Sequence, residues 1–307
     1  MTDPTPNLGN PIGPRLKAKT IAKVLLRVAV STLLVSIFFV LTQDIQIFPG
    51  VLRSWVSLGA GPRDSTPPHV SASFVTTTDG ELLEVWHVAT ESDHGPVAVL
   101  FHGNGESVES TLHVQNWLRA RNISSYSLDY RGYGRSSGWP SEQGIYRDVD
   151  AVLGLVSREN DLSKRPLILW GHSIGTGFAA YASTKLPSQA LVLLSPYSNL
   201  RKVISEVPFF GFLSPFAWYE VPTSNFIGLT KSKCLIVLHG AHDTTILPSH
   251  SDRVVESAPQ GARILRTIVQ DAGHNDLLSK GIGALERSLL DCLGARDKLD
   301  QSPDTVL

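Results

Sequence analysis

Cysteine is nearly missing from this chain. There are two in 307 residues, Cys234 and Cys292, and none before position 234. Their neighbours supply no metal-ligand spacing, and two thiols make no disulfide framework. They read as core thiols, Cys234 inside an apolar strand and Cys292 in the last helix. Neither a metal nor a cofactor is expected. An excess of charge is missing as well: 27 Lys and Arg stand against 28 Asp and Glu, a net charge of −1. That balance removes the basic surface a nucleic-acid partner needs. Internal repeats are absent too, and the length suits one α/β domain with a large buried core.

Charge is also lacking locally, and there the lack is informative. Residues 28–41 (Val-Ala-Val-Ser-Thr-Leu-Leu-Val-Ser-Ile-Phe-Phe-Val-Leu) carry none, and the uncharged stretch continues to Gln43. Extending it back over residues 24–27, with Lys23 and Arg27 snorkelling, gives a helix long enough for a hydrocarbon core of about 30 Å. Arg15, Lys17, Lys19, Lys23 and Arg27 precede the run, against the single acid Asp3. The positive-inside rule then keeps residues 1–23 cytoplasmic, as a disordered tail, and sends the rest of the chain to a lumenal, periplasmic or extracellular side. A cleaved signal peptide is the rival reading, but Thr42-Gln43-Asp44-Ile45-Gln46 offers no small-x-small cleavage site. A buried core helix is the third. Asn122-Ile123-Ser124 is a glycosylation sequon compatible with lumenal exposure.

Residues 24–43 therefore read as a transmembrane anchor, and 44–69 as a Pro- and Gly-rich connector with a short apolar helix near Leu52. Residues 70–296 read as the catalytic domain and 297–307 as a flexible tail. Two runs flanking Asp79-Gly80 predict a hairpin. Continuous apolar runs near residues 97–101, 166–170, 189–194 and 233–238 predict strands buried on both faces, and amphipathic helical patterns alternate with them. The expected architecture is a mostly parallel eight-stranded sheet with helices on both faces. Residues 197–229 break the alternation. Their aromatic cluster, Phe209, Phe210, Phe212, Phe216 and Trp218, suggests a small cap in which these rings either line an acyl pocket or pack as a satellite core.

The decisive motif is Gly171-His172-Ser173-Ile174-Gly175, between the apolar run 166–170 and a helical pattern from Thr176. A Gly-x-Ser-x-Gly between strand and helix is a nucleophile elbow, with Ser173 exposed at a sharp turn. A serine needs a base, and the base needs an orienting carboxylate. Taken in the chain order Ser, acid, His, the candidates are Asp243, directly after a strand, and His274, directly after the final strand. His239 and His242 lie on the acid's own loop, His250 beyond Pro248. Asp271 and Asp276 flank the histidine as loop residues, Asp129 precedes the serine, and His172 reads as structural. The oxyanion needs two donors: the backbone N–H of Ile174, and one from His102-Gly103-Asn104-Gly105, for which Asn104 is the candidate.

Together His102-Gly103-Asn104-Gly105, Asp129-Tyr130-Arg131-Gly132-Tyr133-Gly134, the elbow, His239-Gly240…Asp243 and Gly273-His274-Asn275-Asp276 resemble the α/β-hydrolase-domain serine hydrolases. The likeness is to a membrane-anchored group that includes monoacylglycerol and lysophosphatidylserine lipases and, more distantly, protein depalmitoylases. It covers about residues 70–293. It implies the α/β-hydrolase fold, Ser173, Asp243 and His274 as the triad, and a lipid or small acyl ester as substrate. A serine peptidase or an acyl-protein thioesterase on the same fold is the alternative. The cysteine-rich N-terminus of the depalmitoylase branch is missing here, and the segment 209–219 resembles the lipase branch only loosely.

Overall fold

A computed structural model describes residues 14–52, 66–92 and 94–294. It separates into two units, residues 1–43 and 44–307. All of the first unit's described residues belong to one helix, α1 (Pro14–Ile47). Proline suits a helix's first turn, where its missing N–H costs nothing. The helix thus begins ten residues before Val24, inside the segment expected to be a disordered tail. Over Ala18–Ile47 it is long and apolar enough to cross a membrane, and only 6% of its most apolar window is buried. That exposure is the opposite of a core helix in a soluble domain.

The second unit holds an eight-stranded sheet, β1 (Val70–Thr76), β2 (Leu82–Val88), β3 (Val97–Phe101), β4 (Ser124–Leu128), β5 (Leu167–His172), β6 (Ala190–Leu194), β7 (Cys234–Gly240) and β8 (Arg263–Val269), in the order β1-β2-β4-β3-β5-β6-β7-β8. The β1–β2 hairpin turns at Asp79-Gly80 and pairs antiparallel, and β2 is also antiparallel to β4. All other pairings are parallel. The helices are α2 (Val108–Arg119), α3 (Glu142–Glu159), α4 (Gly175–Lys185), α5 (Leu200–Glu206), α6 (Thr223–Gly228), α7 (Ser249–Glu256) and α8 (Leu277–Cys292). One apolar layer packs α3 and α4 on the sheet through Val149, Val152 and Phe178. The other packs α2 and α8 through Val114, Trp117, Leu285 and Leu289. With both faces covered, β3, β5, β6 and β7 have no use for alternation, which is why they read as continuous apolar runs.

Strand order reverses at β3, which β4 flanks on one side and β5 on the other. Ligands in open α/β sheets bind at the carboxyl ends of strands beside such a switch. The register places Phe101 opposite Gly171 and Gly240 opposite Val269, so the loops after β3, β5, β7 and β8 meet at one edge.

Two expectations need correction. Cys234 and Cys292 are buried but not free: they form a disulfide across 58 residues, with Cα atoms 5.9 Å apart. Seven residues of strand and sixteen of helix each span about 23–24 Å, so α8 returns its last residue to the first residue of β7. Spacing along the chain carries no sign of that meeting. Residues 44–52 are also not a loose connector. Phe48 is fully buried against Tyr219, Val51 is buried, and Asp44 accepts hydrogen bonds from Trp139 and Tyr219 at 2.9 and 2.7 Å. The catalytic unit begins at Asp44. The helix expected near Leu52 falls mostly, and the tail 297–307 wholly, outside the described residues.

Candidate active site

The elbow is built by crowding. A Cβ on Gly175 would collide with the Phe101 carbonyl, and one on Gly171 with the backbone of Gly175 and Thr176. Only glycine lets β5, α4 and the end of β3 approach this closely. Ser173 itself takes φ +53°, a left-handed conformation that a non-glycine residue adopts at a cost. The Ser173 N–H donates to the Leu194 carbonyl, and Tyr197 Oη donates to the Ile174 carbonyl, so the strained turn is held from β6 and from the loop beyond it.

His274 follows β8 and faces this turn. Its Nε2 lies 3.0 Å from Ser173 Oγ and its Nδ1 2.7 Å from Asp243 Oδ2. Since Asp243 can only accept, Nδ1 carries the proton and Nε2 is left as an acceptor for the serine hydroxyl. The second Asp243 oxygen accepts the N–H groups of Thr245 and Ile246, both at 2.9 Å. Burial works against the Asp243 charge, but hydrogen bonds from His239, His274 and Ile246 hold the carboxyl far below the usual carboxylate range. Asp276 Oδ1 accepts the Gly273 N–H at 2.7 Å and shapes the turn that carries His274.

The remaining candidates have other tasks. His239 is buried beside Asp243 and bonds the Ile246 carbonyl, bracing the acid loop. His242 is exposed and Asp271 lies on the surface. His250 accepts from the Ser198 N–H and faces Glu206 at 2.8 Å, tying α7 to α5; burial lowers its pKa. Asp129 accepts the Val108 N–H at 2.8 Å and caps α2.

Asn104 sits exposed at the end of β3, with its carbonyl held by Tyr133 Oη at 2.9 Å. The Gly103 N–H is consumed by Glu106 Oε2 at 2.7 Å, so the Asn104 N–H is the next donor along the loop. Glu106 carries no motif signal in the sequence, yet its other oxygen pairs with His172 Nδ1 at 2.9 Å. Both side chains border a cavity of about 120 Å³ between α2 and the start of α8, with Trp170, Leu194, Asn275 and Leu278. None of Phe209, Phe210, Phe212, Phe216 and Trp218 lines it. These five rings lie exposed on the cap, Phe209 at 95% and Trp218 at 63%.

With this geometry in view, the likenesses to known proteins are specific. Residues 93–234 match the serine aminopeptidase S33 family of hydrolases. An uncharacterized protein of Mycobacterium tuberculosis is 30% identical over 71% of this chain and 78% of its own length. An uncharacterized membrane protein of Saccharomyces cerevisiae is 29% identical over 74% and 86%. The lysophosphatidylserine lipase ABHD12 of Xenopus tropicalis is 30% identical over 64% of this chain and 55% of its own length. A Pyrococcus furiosus esterase superposes with a TM-score of 0.63 over 76% of this chain and 95% of its own, at 18% identity, a likeness of fold. The chain belongs to the α/β-hydrolase group of serine hydrolases that includes lipases, and its eight-stranded sheet is that fold.

Proposed function

We propose that the chain is a membrane-anchored serine hydrolase that cleaves carboxylic esters of single-chain lipids, lysophospholipids or monoacylglycerols, through an acyl-serine intermediate. The relay Asp243–His274–Ser173, closed by hydrogen bonds of 2.7 and 3.0 Å at a strained elbow, carries the reading. His274 Nε2 takes the Ser173 proton as Oγ attacks the acyl carbon, and Asp243 steadies the imidazolium that forms. The oxyanion settles against the N–H groups of Ile174 and Asn104. Collapse expels the alcohol, protonated by His274; water then attacks with His274 again as base, and the acid leaves. Every group this cycle needs belongs to the chain.

Lipid is favoured over peptide or thioester by three features. A relative named as a lysophosphatidylserine lipase is 30% identical over 64% of this chain. Asp44, near the end of the candidate span Ala18–Ile47, accepts hydrogen bonds from Trp139 and Tyr219. The cap presents exposed rings on residues 209–218, the composition that marks a lipid-facing surface. Two features favour a lumenal or extracellular active site, the basic residues before the span and the Cys234–Cys292 disulfide; Asn122 is exposed just before β4, although Ile123 and Ser124 of its sequon are buried.

Side-by-side turnover of a monoacylglycerol, a lysophospholipid, an acyl thioester and a peptide amide tests the substrate class. Faster turnover of one of the two lipids is expected; preference for the amide would replace the lipase reading with a peptidase. The role of the anchor is separable. A chain starting at Asp44 should hydrolyse a short-chain soluble ester at the full-length rate and lose tenfold or more on long-chain lipid in vesicles. Equal activity on both would remove substrate delivery from the anchor's role. A start at Pro67 strips Phe48 and Val51 from the core and should fail on both.

A further inference from the structure

His172 sits where three loops meet. It is the residue before Ser173 on the elbow, and its Nδ1 faces Glu106 Oε1 at 2.9 Å. Glu106 Oε2 accepts the N–H of Gly103, the residue before the oxyanion donor assigned to Asn104. The His172 and His274 imidazoles lie 5.7 Å apart. A carboxylate oxygen can only accept, so Nδ1 carries a proton. The facing carboxylate also favours a second proton on the ring, which makes the contact an ion pair.

We propose that His172 is a positioning residue that works as an imidazolium strut, joining the oxyanion loop to the serine elbow beside His274. Its cation draws Glu106 inward, and Glu106 holds the Gly103 N–H and so aims the Asn104 N–H at the oxyanion. The proposal rests on the serine-hydrolase reading above.

The surroundings agree. The charged and titratable groups facing His172 are Glu106 and His102 from the β3 loop, Asp243 and His274 from the loops after β7 and β8, and His113 of α2 across the cavity. Burial of His172 disfavours its charge, but the bond to Glu106 outweighs it and the pKa lies above the ordinary histidine value. Burial likewise opposes the Glu106 charge, yet His172 and the Gly103 N–H hold its pKa down to about 2. The signs follow. A raised histidine keeps its stabilisation below its unfolded pKa and loses it as pH rises through the folded one; a lowered carboxylate loses its own only as pH falls toward about 2. The strut therefore fails on the alkaline side.

The test is the pH profile of kcat and KM for 4-nitrophenyl butyrate, with the full-length chain in detergent as wild type, His172→Gln and Glu106→Gln. Wild-type kcat should fall along an alkaline limb. Glu106→Gln, which keeps the hydrogen-bonding shape but removes the charge that retains the second proton, should move that limb to lower pH by a unit or more. His172→Gln should abolish the limb and lower kcat about tenfold to a hundredfold with KM within twofold. Ring ¹⁵N shifts, assigned by their loss in His172→Gln, should show both His172 nitrogens protonated at pH 7. An identical limb in all three proteins, or a neutral His172 ring at pH 7, overturns the proposal; Glu106→Gln and the ring shifts decide it if His172→Gln does not fold. Ser173→Ala separates the premises. If it leaves turnover intact, the serine-hydrolase reading fails; if it abolishes turnover while the two variants behave as wild type, the strut alone fails.

Discussion

Ser173→Ala should lower kcat for ester hydrolysis by about 10⁴ or more while leaving the melting temperature within a few degrees of wild type. The size follows from the chemistry: the hydroxyl reaches His274 Nε2 at 3.0 Å, and it is the atom that must attack the ester. Removing it leaves the oxyanion donors and the substrate site, which retain a small residual rate over water. His274→Ala should cost about as much, and the double variant little more, because the pair acts as one unit. Relief of the φ +53° strain at the elbow is not expected, since alanine in that conformation is no freer than serine. A decline of only a few fold in Ser173→Ala would mean that another group attacks the ester.

The second large effect concerns stability. Replacing Cys234 and Cys292 together by alanine should destabilise the catalytic unit by about 4 kcal/mol on the chain-entropy estimate for a closed loop of 58 residues. For a domain of this size that is a fall of about 8–16 °C in melting temperature, read by calorimetry. The bridge joins the start of the strand that carries Asp243 to the end of the helix that follows His274. Loss of the bridge should therefore loosen acid and base together before the elbow is affected. The same bond reports the compartment. Alkylation of intact cells before lysis should find both thiols blocked as disulfide if the catalytic unit faces an oxidising lumen or exterior. Free thiols at both positions would place it in the cytosol and reverse the orientation proposed for α1.

Much of the fold is legible in the sequence because its signals are local. Each parallel strand is a continuous apolar run, since both sheet faces are covered, and each run ends at glycine, proline or a polar loop. The three side chains of the relay are legible for a related reason. A Gly-x-Ser-x-Gly after such a strand specifies a turn, and the carboxyl ends of β7 and β8 offer one well-placed acid and one well-placed histidine. What escapes the sequence is contact over distance. Glu106 and His172 are 66 residues apart and neither residue alone differs from a loop polar group. Cys234 and Cys292 look like core thiols until α8 folds back along β7. Residues 44–52 look like connector because Pro49 and Gly50 punctuate them, yet Phe48 is as buried as any strand residue. The cap rings show the converse: their composition suggests a pocket lining or a satellite core, and the fold leaves them on the surface.

The central claim is that Ser173 is the nucleophile, and covalent capture tests it most directly. The full-length chain should be treated with a fluorophosphonate, digested and read by mass spectrometry. The predicted result is one phosphonylated peptide, with the adduct on Ser173, lost when the protein is unfolded first and lost in His274→Ala. An adduct on another serine, or a native chain that takes no label while turning over ester, would contradict the account.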